Sequence, residues 1–383
     1  IASVPLLQLV PLPPVIWTTL PHREVTAQAF ELIDRLPPWM PLSVSPTLTW
    51  LSALSLIPPL AIFLSVLLLS YRDRRWLSIV VIVVGTTGAV LGLVQVAQGP
   101  ESSLRFYEFT NLTDAVGFFA NRSHFAALGY VLVLFVGAWM SSASTSITIT
   151  GDRRDVASLL VPVIWFAVLV VLLASEAVAR SRAGLGLTML ALLGAFALSV
   201  SAQSVANRPR SKRLLGAAIA VALLLVTQYA LFGILARFED PLAGARPTFF
   251  ATTLEAAKAY WPLGSGLGTF VPVYASFERP EDALNLVYAN RAHNDYIELL
   301  LEAGIVGLLV LVAFCLLFAM RTLEIWRGPF SATSSVDLLL SRAATLSILL
   351  IGLHSAVDYP LRTSAMMSIF ALCCALMIPP SSA

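Results

Sequence analysis

The feature that most constrains this chain is a recurring one: runs of about 20 residues with almost no charge, each the length a helix needs to cross a bilayer's hydrocarbon. They lie near residues 47–70, 76–98, 124–141, 158–175, 183–201, 214–235, 299–320, 338–357 and 363–379. Helices are the expected form, because a backbone N–H or C=O left unpaired in lipid costs several kcal/mol. The composition agrees, with 58% hydrophobic and 12% charged residues in 383, against roughly 25% charged in soluble domains. An ordinary soluble enzyme is excluded. The formal net charge of +2 supplies no basic field for nucleic acid. Cys315, Cys373 and Cys374 all sit inside apolar runs, so neither a disulfide framework nor a thiolate zinc site is expected.

The expected fold is an all-α polytopic membrane protein of about nine transmembrane helices. A proline-rich segment covers residues 1–46, six spans cover 47–235, a long loop covers 236–298, and three spans cover 299–383. Lys and Arg are more than twice as dense in one alternate set of loops, 71–75, 142–157, 202–213 and 321–337, as in the other. The positive-inside rule places that set in the cytoplasm and the 236–298 loop outside. The first 46 residues hold nine of the 23 prolines and read as an extended loop at the outer surface, with Trp17 and Trp39 as interfacial anchors. This stretch has no initiator Met and no basic n-region, unlike a signal peptide, and an external start implies further spans upstream.

The polar chemistry collects on the outward side. The 236–298 loop is too long for a connection and is expected to carry function. Pro247 predicts a helix start, Thr248–Tyr260 an amphipathic helix, and Trp261–Gly264 the turn that ends it. Gly264, Gly266 and Gly268 form a bend that either offers N–H groups to a phosphate or, as the plainer reading, is a re-entrant turn, since no Lys-Ser or Lys-Thr follows.

His22, His124, His293 and His354 all fall on or near that side. His293 directly precedes a span, and Asp295 and Glu298 have capping-box spacing, so a positive helix end follows it and favours neutral imidazole, available as a base. A polar residue at a membrane interface is the bland alternative. Arg180 and Arg182, in a short outward loop, run against the topology bias. They either snorkel to headgroups or fork onto a phosphorylated substrate. Arg246 is a second candidate, just before the expected helix N-terminus; Arg291 is weaker and could simply be solvated. His354 and Asp358 are four apart and would share a helix face, with Arg362 beyond, as a structural or supporting pair. No HExxH or CxxC pattern occurs and the histidines are scattered, so no metal site is expected.

His293-Asn294-Asp295-Tyr296, followed by Glu298 to Gly304 and an apolar span, resembles the signature of the O-antigen ligase and O-antigen polymerase superfamily. So do Ser181-Arg182-Ala183-Gly184, Gly264 to Gly268, Asn121 to Ala126 and His354 to Arg362, in the family's order over about residues 117–362. The resemblance implies a GT-C-like glycosyltransferase of the bacterial inner membrane. Its active site faces the periplasm, and it uses a glycan on undecaprenyl diphosphate without nucleotide sugar, cofactor or metal. The acceptor would be a second lipid-linked glycan, for a polymerase, or lipid A-core, for a ligase. Membrane lipids, a flippase and a chain-length regulator are the other implied partners. By motif match, Arg182 and Arg246, with Arg180 beside them, would hold the diphosphate and His293 would activate the acceptor hydroxyl. His124, His354, Asp358, Arg362 and Arg291 would support them. The Asn121 and His354 motifs lean toward polymerases. The competing class is a multi-span transporter of a small anion such as bicarbonate, although span centres lack the charges that carriers usually place there. A structural assembly partner would leave the outward Arg and His clustering unexplained.

Overall fold

The computed structural model describes residues 3–146, 156–206, 241–283, 288–327 and 334–380. In chain order the helices are α1 Ser3–Gln8, α2 Pro14–Trp17, α3 Glu24–Leu32, α4 Pro46–Ser55, α5 Ile57–Leu68, α6 Tyr71–Gln98, α7 Arg122–Ser146, α8 Val156–Ala179 and α9 Arg182–Ala206. They continue with α10 Pro241–Ala259, α11 Phe270–Phe277, α12 Asp295–Arg327, α13 Ser335–Ser355, a 3-10 turn Pro360–Arg362 and α14 Ser364–Leu376. Strands β1 (Pro11–Leu12) and β2 (Met40–Pro41) form a single antiparallel rung pair, Pro11 opposite Pro41 and Leu12 opposite Met40. The protein is an all-α polytopic membrane protein.

Among the described residues, seven helical stretches are long and apolar enough to span: 46–68, 71–98, 122–142, 160–179, 182–202, 295–327 and 335–355. The expected span at 214–235 lies outside the described residues. The expected last span appears as the 13-residue α14, about 20 Å long at 1.5 Å per residue.

The chain divides into two compact units. The first comprises residues 1–58, 240–319 and 355–364. Its N-terminal segment is not the extended loop expected: α1 to α3 and the β1–β2 pair fold it upon itself. Trp17 is no interfacial anchor, being fully buried with its indole N–H donated to Pro38 O at 2.8 Å; Trp39 is exposed. The long loop has its own core, in which Phe249, Ala256, Ala257 and Tyr260 of α10 meet Phe270, Val273 and Tyr274 of α11 and Ile297 and Leu301 of α12. A segment with such a core is a small folded layer, and holds its polar groups in place.

Helix α12 is broken at Gly304 (φ 53°, ψ −137°), a conformation that glycine adopts without steric cost. The break is also a close approach, because a Cβ there would overlap Pro262 O. The break removes the intrahelical partners of preceding carbonyls, and the glycine bend replaces them. Ser265 N–H bonds Leu301 O, Gly266 N–H bonds Glu302 O, and Ile305 N–H bonds Pro262 O. Gln8 donates to Glu302 O and accepts from Leu267 N–H, both at 2.9 Å.

The second unit comprises residues 59–239, 320–354 and 365–383. Here α7 packs against α8 and α9, approaching α9 closely where Gly137 faces Ala195. Small residues permit such contact in lipid, where helices must associate by packing rather than by hydrophobic exclusion.

Candidate active site

In the first unit three segments bring their polar groups together: residues 290–302, residues 355–362 and α10. Asn294 Oδ1 accepts from the N–H groups of Tyr296 (3.0 Å) and Ile297 (3.1 Å), so it caps α12. The expected Asp295/Glu298 capping box is therefore corrected: Asn294 is the cap, Glu298 reaches back to Ala292 N–H at 3.0 Å, and Asp295 turns to other partners. His293, immediately before the cap, has φ 52°. Non-glycine residues seldom adopt that region, and they hold it chiefly where the surrounding structure enforces it, often at functional sites.

The imidazole of His293 is stacked on Phe249 (centroids 5.9 Å apart) and meets Tyr359 edge-on at 4.9 Å. Its Nδ1 lies 3.4 Å from Asp358 Oδ1, with side-chain exposures of 18% and 2%. The partly open ring thus rests on a buried carboxylate. The other oxygen, Asp358 Oδ2, lies 3.9 Å from Arg246 Nη2, and Arg246 Nη1 donates to Val357 O at 3.2 Å. Two expectations change here. Helix α10 begins at Pro241, so Arg246 and Pro247 lie inside it and no helix N-terminus assists Arg246. Helix α13 ends at Ser355, so Asp358 lies past its end and a four-residue spacing from His354 no longer implies one helix face.

Asp295, Glu298 and Glu302 stand at i, i+3 and i+7 on one face of α12, and all three meet Arg362. Its Nε is 3.4 Å from Asp295 Oδ1 and 3.5 Å from Glu298 Oε1, and its Nη1 donates to Glu302 Oε2 at 2.6 Å. Burial alone would lower the pKa of Arg362, but Glu298, Glu302 and Asp295 outweigh it and raise the pKa above the usual arginine value. Arg291 donates to Glu298 at 2.9 Å, so it is paired and not simply solvated. Both arginines are committed to internal carboxylates. The glycine bend is likewise committed, since Gly268 and Phe270 N–H groups bond Glu302 Oε1 at 2.9 and 3.3 Å. These contacts, with those that cap the Gly304 break, favour the re-entrant-turn reading over a phosphate cradle.

In the second unit a cluster around Asp114 has, among the described residues, the opposite proportion. Asp114, with its side chain 4% exposed, accepts from Arg122 Nη1 at 2.8 Å and lies 4.0 Å from Arg180 Nε. Arg105 Nη1 donates to Asp114 O (3.1 Å) and Asn111 O (2.7 Å). Among the described residues two guanidiniums thus meet the Asp114 carboxylate, and a third, Arg105, holds its backbone carbonyl. Arg180 has φ 55° and Arg182 opens α9; both are exposed. Ser181 between them is buried and accepts from Gly184 N–H at 3.1 Å.

His124 and His354 are buried in this unit, 4% and 0% exposed, with His354 Nδ1 3.3 Å from the Tyr130 hydroxyl. Glu176 is wholly buried, accepts from Thr188 at 3.3 Å, and lies so close to Gly129 that a Cβ there would overlap its Oε1. Among the described residues no group of three or more His, Cys, Asp or Glu side chains is placed to hold a metal ion.

Sequence reasoning missed Asp114, Arg105 and Arg122 as a cluster, and read Asp295 and Glu298 as a cap. The i, i+3, i+7 spacing of three acids at the head of an apolar run was the available signal for the second.

The class that fold and site define is a polytopic membrane protein with a folded hydrophilic layer, carrying a histidine–carboxylate pair and arginine clusters. Residues 167–312 match the family described as O-antigen ligase, which supports relating the chain to the O-antigen ligases and polymerases, as a membrane enzyme of that type. The matched stretch contains Arg180, Arg182, Arg246 and His293, whereas Asp358 and Arg362 lie beyond it. No curated protein matches the chain.

Proposed function

We propose that the chain is a glycosyltransferase of the bacterial inner membrane that moves a glycan from undecaprenyl diphosphate to an acceptor hydroxyl on the periplasmic face. A polymerase is favoured over a lipid A-core ligase, following the Asn121 and His354 motifs. The observation that carries the chemistry is the pairing of a partly open His293 with buried Asp358. A carboxylate 3.4 Å from Nδ1 steadies the imidazolium that forms when Nε2 takes a proton.

In the proposed step His293 Nε2 accepts the acceptor hydroxyl's proton while that oxygen bonds to the sugar's anomeric carbon. The bond from that carbon to the diphosphate oxygen breaks, and its electron pair leaves with undecaprenyl diphosphate. Arg246, beside His293 in the same unit, meets the charge that develops on the departing group, a task that permanent guanidinium charge performs without a metal; Arg182 and Arg180 are proposed as diphosphate ligands on the motif resemblance alone. Arg246 is suited to it because its side chain is 44% exposed and forms one hydrogen bond to a backbone carbonyl, leaving further donors in its fork. The test is turnover by the purified full chain in lipid, with a lipid-diphosphate glycan as donor and each acceptor type in turn. Elongation of the lipid-linked glycan is expected; transfer only to lipid A-core would make it a ligase, and no transfer to either would refute the reading.

A further inference from the structure

At the end of the second unit where α6 begins and α7 finishes, one face of α6 grades from charge to grease. Arg72, Arg75, Trp76 and Ile79 stand at i, i+3, i+4 and i+7, and with Trp139 of α7 they line a cavity of about 370 Å³. The same stripe continues as Val83 and Val90, both exposed. From Trp76 to Val83 the helix rises about 10 Å, within one leaflet's share of a ~30 Å hydrocarbon core. Trp139 is held in place, donating its indole N–H to Ser78 at 3.1 Å and stacking on Trp165 at 5.8 Å.

The charges at the rim do not cancel. Arg75 is 3.3 Å from Asp337, and Asp73 bonds Ser70, whereas among the described residues Arg72 makes no ion pair. Among the described residues of this end, counting Arg72, Arg74 and Arg75 against Asp73 and Asp337 leaves one positive charge beside an indole and an aliphatic strip.

We propose that this cavity is a binding site for an anionic phospholipid: a phosphodiester between Arg72 and Arg75, glycerol against Trp76 and Trp139, and an acyl chain along Ile79 and Val83. A single surplus charge matches a monoanionic headgroup, and guanidinium forks suit phosphate oxygens. Basic pockets between membrane helices take such headgroups elsewhere by the same chemistry. With the orientation inferred from the basic loops, the lipid comes from the cytoplasmic leaflet. The site does not depend on the proposed glycosyl transfer.

The test is native mass spectrometry of the detergent-solubilised full chain with phosphatidylglycerol or phosphatidylcholine of identical acyl chains. Phosphatidylglycerol should be retained about tenfold better. Arg75→Ala would remove the Asp337 ion pair, so the variant used is Arg72→Glu, which changes an exposed side chain. It should bring phosphatidylglycerol down to the phosphatidylcholine level. Equal retention of the two lipids, or unchanged phosphatidylglycerol retention in Arg72→Glu, would overturn the proposal. So would displacement of the lipid by millimolar inorganic phosphate, which would make this a free-phosphate site.

Discussion

The two polar clusters of this protein are built from the same residue types in opposite proportion. Around Arg362 three carboxylates meet one guanidinium, with Arg291 as a second cation on Glu298; around Asp114, among the described residues, two guanidiniums meet one carboxylate and a third holds its backbone carbonyl. The first arrangement leaves its arginines no charge to offer a ligand, and beside it His293 has a carboxylate of its own. Among the described residues the second holds more guanidiniums than carboxylates. Proportion therefore distinguishes arginines committed to internal carboxylates from those proposed to hold a diphosphate, a distinction that residue identity alone does not make.

The comparison breaks most sharply at His293. His293→Gln should reduce transfer by ~10²- to 10⁴-fold, the range for lost general-base help, with donor binding nearly unchanged. Asp358→Asn should follow in kcat while the protein still inserts. If His293→Gln keeps its rate and His124→Ala loses it, the base is in the other unit.

Arg362→Leu should act on the fold instead. It leaves Asp295, Glu298 and Glu302 buried without their shared cation, a loss of about 3–5 kcal/mol. Thermal unfolding in detergent should show this before any assay does. An unchanged melting temperature would remove Arg362 from the structural side of the comparison.

Arg182→Ala and Arg246→Ala should each cost 2–4 kcal/mol of transition-state stabilisation, roughly 30- to 1000-fold in rate. Lysine should restore only part of it, because it keeps the charge and not the fork. Wild-type rates in both would make them headgroup anchors. Asp114→Asn should weaken the set more gently, raising KM for the lipid-diphosphate donor by about tenfold through looser placement of Arg122 and Arg180, worth about 1.4 kcal/mol. Asp114→Glu should recover most of it. The smallest effect is expected from excess EDTA, which should leave the rate within about twofold; abolition by chelator and rescue by Mg²⁺ would point to a carboxylate site, with Glu176 and Asp358 the first to test.

Much of the fold was legible because membrane helices are written locally: a span is a run of about 20 apolar residues, and no distant partner is needed to read it. Seven of the expected spans appear at nearly their expected places. His293 ahead of a helix was legible for the same reason, since caps act within one turn. The N-terminal segment was misread because prolines describe a backbone and not what it packs on; Trp17 is buried through contacts with Phe30 and Pro38.

What the sequence by itself determined is the membrane class, the helices, and the set of arginines and histidines available for chemistry. Only the tertiary structure decided their partners. Asp358 meets His293, 65 positions away, and Arg362 meets Glu302, 60 positions away, through a helix that stops at Ser355 and another that breaks at Gly304. A charge interacts with whatever lies within a few ångströms, and in a folded chain that neighbourhood is set by where helices end, which spacing along the sequence does not record.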